Sequence, residues 1–145
     1  MEQLRILLVD DEERLLSTTK KLFEKIGIEA FTATSGRAAL DLLKEKDVDV
    51  IFLDIKMPGM DGMETLQCIK KDYPLIEVVI LTGHATMETA VEGLKLGALD
   101  YLIKPVSMKD FLKKAEEAFE KVSRQKQKIH SAQMAESSEG QGGLR

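Results

Sequence analysis

Short apolar runs alternate with longer segments of helical periodicity along most of this chain. Residues 4–9, 48–53 and 78–81 are apolar runs too short for helices, and weaker strand candidates lie between helical patterns at 28–33 and 101–103. Parallel strands cannot be joined by tight hairpins, so alternation of this kind favours a parallel sheet covered by helices. The sequence therefore predicts a three-layer α/β domain with a five-stranded parallel sheet and helices on both faces.

The first and last helices have the clearest periodicity. Both repeat apolar residues with the same offsets, as Leu15, Leu16, Thr19, Leu22, Phe23 and Ile26, and as Phe111, Leu112, Ala115, Ala118, Phe119 and Val122. Gly27 is a stop signal for the first helix, and Ser107 to Asp110 has the spacing of a capping box that begins the last. Shorter helices are predicted around 39–43, 63–69 and 87–94.

Length and composition restrict the chain to one ordinary domain. Its 145 residues are 43% hydrophobic, enough for a core, so a wholly disordered chain is excluded. Residues 1–124 are predicted to form the folded domain, and residues 125–145 the end of the last helix and a disordered polar tail, since few large apolar residues remain there.

Charge and cysteine content restrict the partners. The 21 basic and 25 acidic residues give a net charge of -4 without a basic stripe, which argues against direct binding of nucleic acid. The first apolar run meets acids at once, so neither a signal peptide nor a membrane segment is expected. Cys68 is the single cysteine and cannot form an internal disulfide, which suits a reducing cytoplasm.

Reactive side chains stand at the ends of four predicted strands. They are Asp10 and Asp11, Asp54, Thr82, and Lys104 with Pro105. In an open α/β sheet, ligands bind outside the carboxyl ends of the strands, so these side chains are expected to meet. Converging carboxylates repel one another unless a cation lies between them. Oxygen ligands without His or Cys select Mg²⁺, Mn²⁺ or Ca²⁺, and Mg²⁺ is the best suited of these to a phosphoryl ligand.

The chemistry expected there is phosphoryl transfer. An Asp carboxylate can act as a nucleophile and form an acyl phosphate, and Asp54, directly after an apolar strand, is the candidate. Lys104 would neutralise a phosphoryl oxygen, and the Thr82 hydroxyl would donate a hydrogen bond to another.

Each of these residues also has a purely structural interpretation. Asp10 and Asp11 could cap the first helix, and Tyr101 could be a core residue. Asp61 has capping-box spacing to Glu64 and needs no metal to explain it. Thr82 and Lys104 gain significance from their joint placement at the ends of strands.

In order along the chain, these residues resemble the receiver domain of two-component response regulators. The resemblance covers residues 4 to about 124 and rests on Asp10-Asp11, Asp54 with Met57-Pro58-Gly59-Met60-Asp61-Gly62, Thr82-Gly83, Gly97-Ala98-Leu99-Asp100-Tyr101 and Lys104-Pro105. It is closest to receivers that precede ATPase-type transcriptional activators. The resemblance implies the flavodoxin-like strand order 2-1-3-4-5.

The resemblance also implies a role for individual residues. Asp54 would be phosphorylated by a sensor histidine kinase or a histidine phosphotransfer protein, with Mg²⁺, or Mn²⁺ as a substitute, as cofactor. Asp11 would bind the metal directly and Asp10 through a water, and the backbone carbonyl of Lys56 would complete the protein's share of the ligands. Lys104 would pair with the phosphoryl group.

Further implied features concern the switch and its regulation. Pro105 would follow a cis peptide bond that aims Lys104, and Thr82 and Tyr101 would change position on phosphorylation. We also expect Lys56 and His84 to modulate the lifetime of the acyl phosphate. The output would pass to a downstream effector protein or through a phosphorylation-dependent homodimer.

Three other functions compete with a phosphorylated switch. A haloacid dehalogenase-like phosphatase would use the same nucleophile and metal, but it wants an acid where Lys56 stands. A flavodoxin-like electron carrier would place the anionic phosphate of FMN beside three acids, which would repel it. A docking module independent of phosphorylation would not require an intact acidic cluster. The sequence leaves open whether the chain is a complete single-domain regulator or a truncated one.

Overall fold

The computed structural model describes residues 4–56, 61–83 and 87–143. Within them, strands and helices alternate strictly from the first element to the last. The elements are β1 (Arg5–Val9), α1 (Glu13–Lys25), β2 (Glu29–Ala33), α2 (Gly36–Leu43), β3 (Val50–Asp54), α3 (Gly62–Asp72), β4 (Glu77–Thr82), α4 (Met87–Lys95), β5 (Asp100–Ile103) and α5 (Met108–Gly143).

The strands form one parallel sheet in the order β2-β1-β3-β4-β5. The predicted α/β class and strand order are therefore confirmed. β3 and β4 each run one residue further than the apolar pattern indicates, so Asp54 and Thr82 are the last residues of their strands. Both side chains consequently lie at the carboxyl edge of the sheet.

Alternate residues of each strand pack into cores on opposite faces of the sheet. Ile6 and Leu8 of β1 face α1 and α5, whereas Leu7 and Val9 belong to the core beneath α2 and α3. The first core is centred on three phenylalanines, Phe23, Phe52 and Phe111, whose ring centroids are 5.0–6.3 Å apart. Helices on both faces therefore leave only the ends of the sheet for a site.

Helix α1 buries a narrower stripe than its apolar pattern predicts. Leu16, Thr19 and Phe23 are buried, but Leu15, Leu22 and Ile26 are 38%, 42% and 51% exposed. The buried residues follow the spacing i, i+3, i+7, which is one face of a helix packed on a single layer. The predicted helix does pack one side on a core, but only three of the six periodic positions lie on that side.

Helix α5 continues through Gly143, where the sequence predicts a disordered tail from residue 130. Gln, Ala and Met, which favour helix, occupy positions 132–135, whereas residues 137–143 include three glycines and two serines, which do not. Side chains 131–135 are exposed, so this part of the helix extends beyond the packed domain. None of the described helices, α5 included, is both long and apolar enough to cross a membrane.

Two acids at the amino ends of the strands hold α5 against the sheet. Glu77, the first residue of β4, is 1% exposed, and its Oε2 lies 3.4 Å from Nζ of Lys121. Asp49, just before β3, accepts a hydrogen bond from the amide of Arg5 at 3.0 Å and from Lys126 Nζ at 3.4 Å. These ion pairs lie at the end of the sheet opposite Asp54.

Candidate functional site

Carboxylates of Asp10, Asp11 and Asp54 converge at the carboxyl edge of the sheet, with one oxygen from each lying within 4.8 Å of the others. The cause is the parallel pairing of β1 with β3, which sets Val9 beside Leu53 and so brings the residues that follow them together. Asp10 and Asp54 are 1% and 5% exposed, whereas Asp11 is exposed to solvent. The site therefore has a buried floor and an open side.

Lys104 provides the positive charge of this site. Its Nζ lies 2.6 Å from Oδ2 of Asp10 and 3.3 Å from Oδ2 of Asp54. The amide of Lys104 donates to the carbonyl of Thr82 at 2.8 Å, which fixes the residue at the ends of β4 and β5. The Lys104–Pro105 peptide bond that follows is cis. The ammonium group thus bridges the two buried acids.

Backbone amides orient the other oxygen of each buried carboxylate. Lys56 donates its N–H to Oδ1 of Asp54 at 3.1 Å, and Glu12 donates its N–H to Oδ1 of Asp10 at 2.9 Å. Each acid therefore turns one oxygen toward its own backbone and the other toward Lys104. Hydrogen bonds of this kind pre-organise charged groups for chemistry.

The pKa values of Asp54 and Lys104 record this environment. Burial raises the pKa of Asp54 above its ordinary value, and the nearby charge of Asp10 adds to the effect, against the opposing influence of the Lys56 amide and Lys104. Burial alone would lower the pKa of Lys104, but its hydrogen bond to Asp10 and the charge of Asp54 outweigh burial, so the pKa is raised. Lys104 is therefore held firmly in its charged form, while ionisation of Asp54 is costly.

The two predicted switch residues lie at different depths in the sheet. Thr82 is 3% exposed and pairs in register with Ile103, immediately before Lys104. Tyr101 pairs with Ile80 further down β5, and its partly buried ring packs against the core under α2 and α3. Thr82 thus shares the edge of the sheet with the acids, whereas Tyr101 lies behind it.

The remaining predicted site residues differ in what the structure describes. Lys56 is an exposed residue two positions after Asp54, the last residue of β3. His84 and residues 57–60 lie outside the described residues. Asp61 is the N-cap of α3, with its Oδ1 accepting the Glu64 amide at 2.8 Å, in agreement with its structural interpretation. The capping prediction at Ser107 also agrees, since its hydroxyl accepts the Asp110 amide at 3.1 Å.

The donor set suits a hard divalent cation. Carboxylate oxygens are the preferred ligands of Mg²⁺, and three carboxylates meet here. Among the described residues, the ammonium group of Lys104 contacts two of them, Asp10 and Asp54. A net negative charge remains, and the exposed side at Asp11 leaves room for water or a phosphoryl group. The residues therefore fit Mg²⁺.

Gly62 and the Lys56 amide are two features of the site that sequence reasoning missed. Gly62 is buried at the start of α3 and lies directly against the Asp54–Ile55 backbone. The available signal was a glycine at the first helical position, where the cap at Asp61 does not require one.

Comparison with known proteins settles the family. The family model of the response regulator receiver domain matches residues 6–116. This chain belongs to the response regulator receiver family. The predicted resemblance, including the likeness to receivers that precede ATPase-type transcriptional activators, is confirmed.

Curated relatives of this receiver domain are longer regulators. A putative NtrX-like response regulator of Rickettsia felis is 43% identical over 107 residues, covering 72% of this chain and 22% of the relative. The transcriptional regulatory protein ZraR of Klebsiella oxytoca is 45% identical over 105 residues, covering 72% and 24%. The chain thus spans about a quarter of the length of these relatives.

Solved receiver structures share the fold. A CheY-like receiver domain from Methanospirillum hungatei is 33% identical with a TM-score of 0.80, over 84% of this chain and 98% of that one. The beryllofluoride-activated NtrC4 receiver domain, described as a dimer, is 38% identical with a TM-score of 0.77, over 84% and 99%. The receiver family and fold are therefore shared along most of the chain.

Proposed function

We propose that this receiver domain accepts a phosphoryl group on Asp54 and works as a signalling switch. The observation that carries the proposal is the bridge that Lys104 makes between Asp10 and Asp54, with Asp11 beside them. Neutralisation and positioning of charge are what phosphoryl transfer mainly requires. A carboxylate, a cationic side chain and further acids to hold a metal supply both.

Asp54 is the best nucleophile of the three acids. Both oxygens of Asp10 are engaged by close donors, at 2.6 Å and 2.9 Å. The contact of Asp54 Oδ2 with Lys104 is longer than either of these, at 3.3 Å, so this oxygen is held less tightly by that donor. Asp11 is exposed, and its carboxylate is better placed for a metal at the open side.

The proposed donor is a phosphohistidine on a sensor kinase or phosphotransfer protein. An oxygen of Asp54 forms a bond to phosphorus while the phosphorus–nitrogen bond of phosphohistidine breaks, and its electron pair stays on the imidazole nitrogen. Lys104 then pairs with a phosphoryl oxygen and Thr82 donates its hydroxyl to another. Asp54 must be ionised for this attack, and Lys104 favours that form.

Asp10, Asp11, Asp54 and the backbone carbonyl of Lys56 would hold Mg²⁺, with Mn²⁺ as a substitute. When bound, the ion neutralises charge that develops on the phosphoryl oxygens. The chain's own contribution is to keep three acids together before the ion arrives, and the Lys104 ammonium lowers the cost of doing so.

The output would be a change of partner binding rather than turnover of a substrate. Movement of Thr82 toward the phosphoryl group and of Tyr101 behind it would alter the surface of α4, β5 and α5. The NtrC4 receiver that resembles this chain is described as an activated dimer, which supports homodimerisation as one output. An effector protein is the other proposed target, in the cytoplasm where sensor kinases act.

Intact-mass spectrometry tests the phosphoacceptor directly. The protein is treated with acetyl phosphate and Mg²⁺, and compared with Asp54→Asn, with a chelator-treated sample and with Asp61→Asn as a nearby matched control. We expect one labile phosphoryl adduct in the wild type and in Asp61→Asn, and none in the other two. An adduct that persists in Asp54→Asn contradicts the assignment, and sustained release of phosphate from monoesters would indicate a phosphatase instead.

The lifetime of the adduct tests the modulating residues. We expect Lys56→Ala and His84→Ala to change the rate at which the adduct is lost after acetyl phosphate is removed. Glu64→Ala, on the exposed first turn of α3, is the control. Unchanged decay in both variants would remove Lys56 and His84 from the mechanism.

A further inference from the structure

Gly62 is buried at the first position of α3 and approaches the phosphoacceptor strand very closely. A Cβ atom at this position would lie 2.3 Å from Cα of Ile55 and 2.6 Å from the carbonyl oxygen of Asp54. Both are backbone atoms, so neither can swing aside as the end of a side chain can. Any residue other than glycine would force the helix or the strand end to move.

The strand end is held from both sides. The amide of Ile55 donates to the carbonyl of Leu81 in β4 at 3.2 Å, and the carbonyl of Ile55 accepts the amide of Gly62 at 3.2 Å. The start of α3 is also fixed, because Asp61 caps it and accepts the Thr65 hydroxyl at its carbonyl at 2.9 Å. Gly62 therefore joins two rigid pieces of backbone.

The same backbone sets the direction of the Asp54 carboxylate. The amide of Lys56, two residues after Asp54, donates to its Oδ1 at 3.1 Å. A shift of Ile55 would carry this donor with it and would turn the carboxylate relative to Lys104. A misplacement of about 1 Å can cost on the order of a hundredfold in rate when a reaction depends on positioning.

We propose that Gly62 is a positioning residue for Asp54, acting through the backbone of Ile55 and the amide of Lys56. The proposal rests on the assignment of Asp54 as phosphoacceptor. Because position 62 has no side chain, α3 can pack closely against the end of β3. This close packing keeps the backbone in the conformation that orients the Asp54 carboxylate. Larger side chains at this position should misdirect Asp54 even in a folded domain.

Gly93 offers a matched control. A Cβ at Gly93 of α4 would lie 2.2 Å from Cδ1 of Ile80, the far end of a flexible side chain. Gly62→Ala and Gly93→Ala thus make the same chemical change in two buried helix–strand contacts. Only the first presses on the backbone next to Asp54.

The test combines a structural readout with a kinetic one. In ¹H–¹⁵N spectra of the metal-free protein, the Lys56 amide should move in Gly62→Ala and stay near its wild-type position in Gly93→Ala. Adduct formation from acetyl phosphate should slow by about tenfold to a hundredfold in Gly62→Ala, measured at a temperature where urea titration shows it folded. A folded Gly62→Ala with the wild-type Lys56 signal and rate would overturn the proposal.

Two further outcomes remain decisive. If Gly62→Ala does not fold, Asp61→Ala replaces it, because loss of the cap loosens the first turn of α3 without adding atoms beside Ile55. An unmoved Lys56 amide in that variant overturns the proposal, and a moved one supports it. If the wild type itself forms no adduct, the proposed function fails, while the Lys56 signal still decides the role of Gly62.

Discussion

The ammonium nitrogen of Lys104 lies 2.6 Å from Oδ2 of Asp10, a residue proposed to bind metal. Lys104 and a divalent cation therefore place positive charge beside the same carboxylates. Unit charges about 4 Å apart interact by about 1 kcal/mol in water and by more where water is partly excluded. The lysine proposed to pair with the phosphoryl group is thus expected to weaken the binding of the metal.

Lys104→Ala is expected to bind Mg²⁺ more tightly than the wild type, by up to about tenfold, because the competing charge is gone. Phosphoryl transfer from acetyl phosphate should nevertheless slow. Calorimetric titration with Mg²⁺ gives the affinity. Lys114→Ala removes the same charge from an ion pair with Asp100 and should leave the affinity unchanged. Weaker Mg²⁺ binding in Lys104→Ala would contradict this account.

Asp54→Asn is expected to be more stable than the wild type at neutral pH in the presence of a chelator. Burial raises the pKa of Asp54 above its ordinary value of 3.8, so the folded state binds the proton more tightly than the unfolded state does. The resulting decrease in the free energy of unfolding is absent below pH 3.8 and fully present above the folded pKa. Urea unfolding at several pH values should show the advantage of Asp54→Asn shrinking as the pH falls. Asp61→Asn, which keeps a capping side chain, is the control, and a constant or reversed difference would count against the prediction.

Lys121→Met is expected to lower the free energy of unfolding by about 1–3 kcal/mol, because it removes the cation beside a buried carboxylate. Glu77 is 1% exposed and lies 3.4 Å from Lys121. In Lys121→Met/Glu77→Gln, most of the loss should be regained, since the buried carboxylate charge is removed together with the Lys121 cation.

The exposed ion pair of Lys20 with Glu24 provides the comparison for the Lys121 and Glu77 variants. Lys20→Met should cost only about 0.3–0.5 kcal/mol, the usual value for such a helical pair. Equal losses in Lys20→Met and Lys121→Met, measured by urea unfolding, would mean that the burial of Glu77 carries no special cost.

Phe23→Ala is expected to cost about 3–5 kcal/mol, the range for large aromatic side chains removed from a core. Its ring lies 5.8 Å from that of Phe111 and 6.3 Å from that of Phe52, and the residue is fully buried. Leu22→Ala, the neighbouring residue at 42% exposure, should cost far less. Thermal unfolding of the two variants side by side distinguishes them, and similar losses would show that the aromatic cluster is not the centre of this core.

Alternation of strands and helices predicted the fold because each apolar run matches one buried strand. It predicted less well which side of a helix is covered. Leu15, Leu22 and Ile26 share the periodicity of Phe23, yet they remain exposed, because periodicity reports an apolar face and not the width of the surface that receives it. The long continuation of α5 was missed for a related reason, since an exposed helix has no apolar face and so leaves no apolar periodicity in the sequence.

The site itself was largely predictable from the rule that functional residues follow parallel strands. That rule identified Asp10, Asp54, Thr82 and Lys104, and the structure brings all four to one edge of the sheet. It could not indicate the close approach of Gly62 to Ile55, which depends on how α3 enters the sheet. Sequence spacing locates side chains along a strand, but distances between backbones come only from packing.

The contact between Lys104 and Asp10 joins residues separated by 94 positions in sequence. A nascent chain that has emerged only as far as β4 already carries Asp10, Asp11 and Asp54, but it lacks the cation that draws two of them together. The phosphoryl-accepting arrangement therefore arises only after β5 has been synthesised and has joined the sheet. Phosphorylation of Asp54 would then require a domain that has been synthesised through β5, and shorter nascent chains would not be phosphorylated.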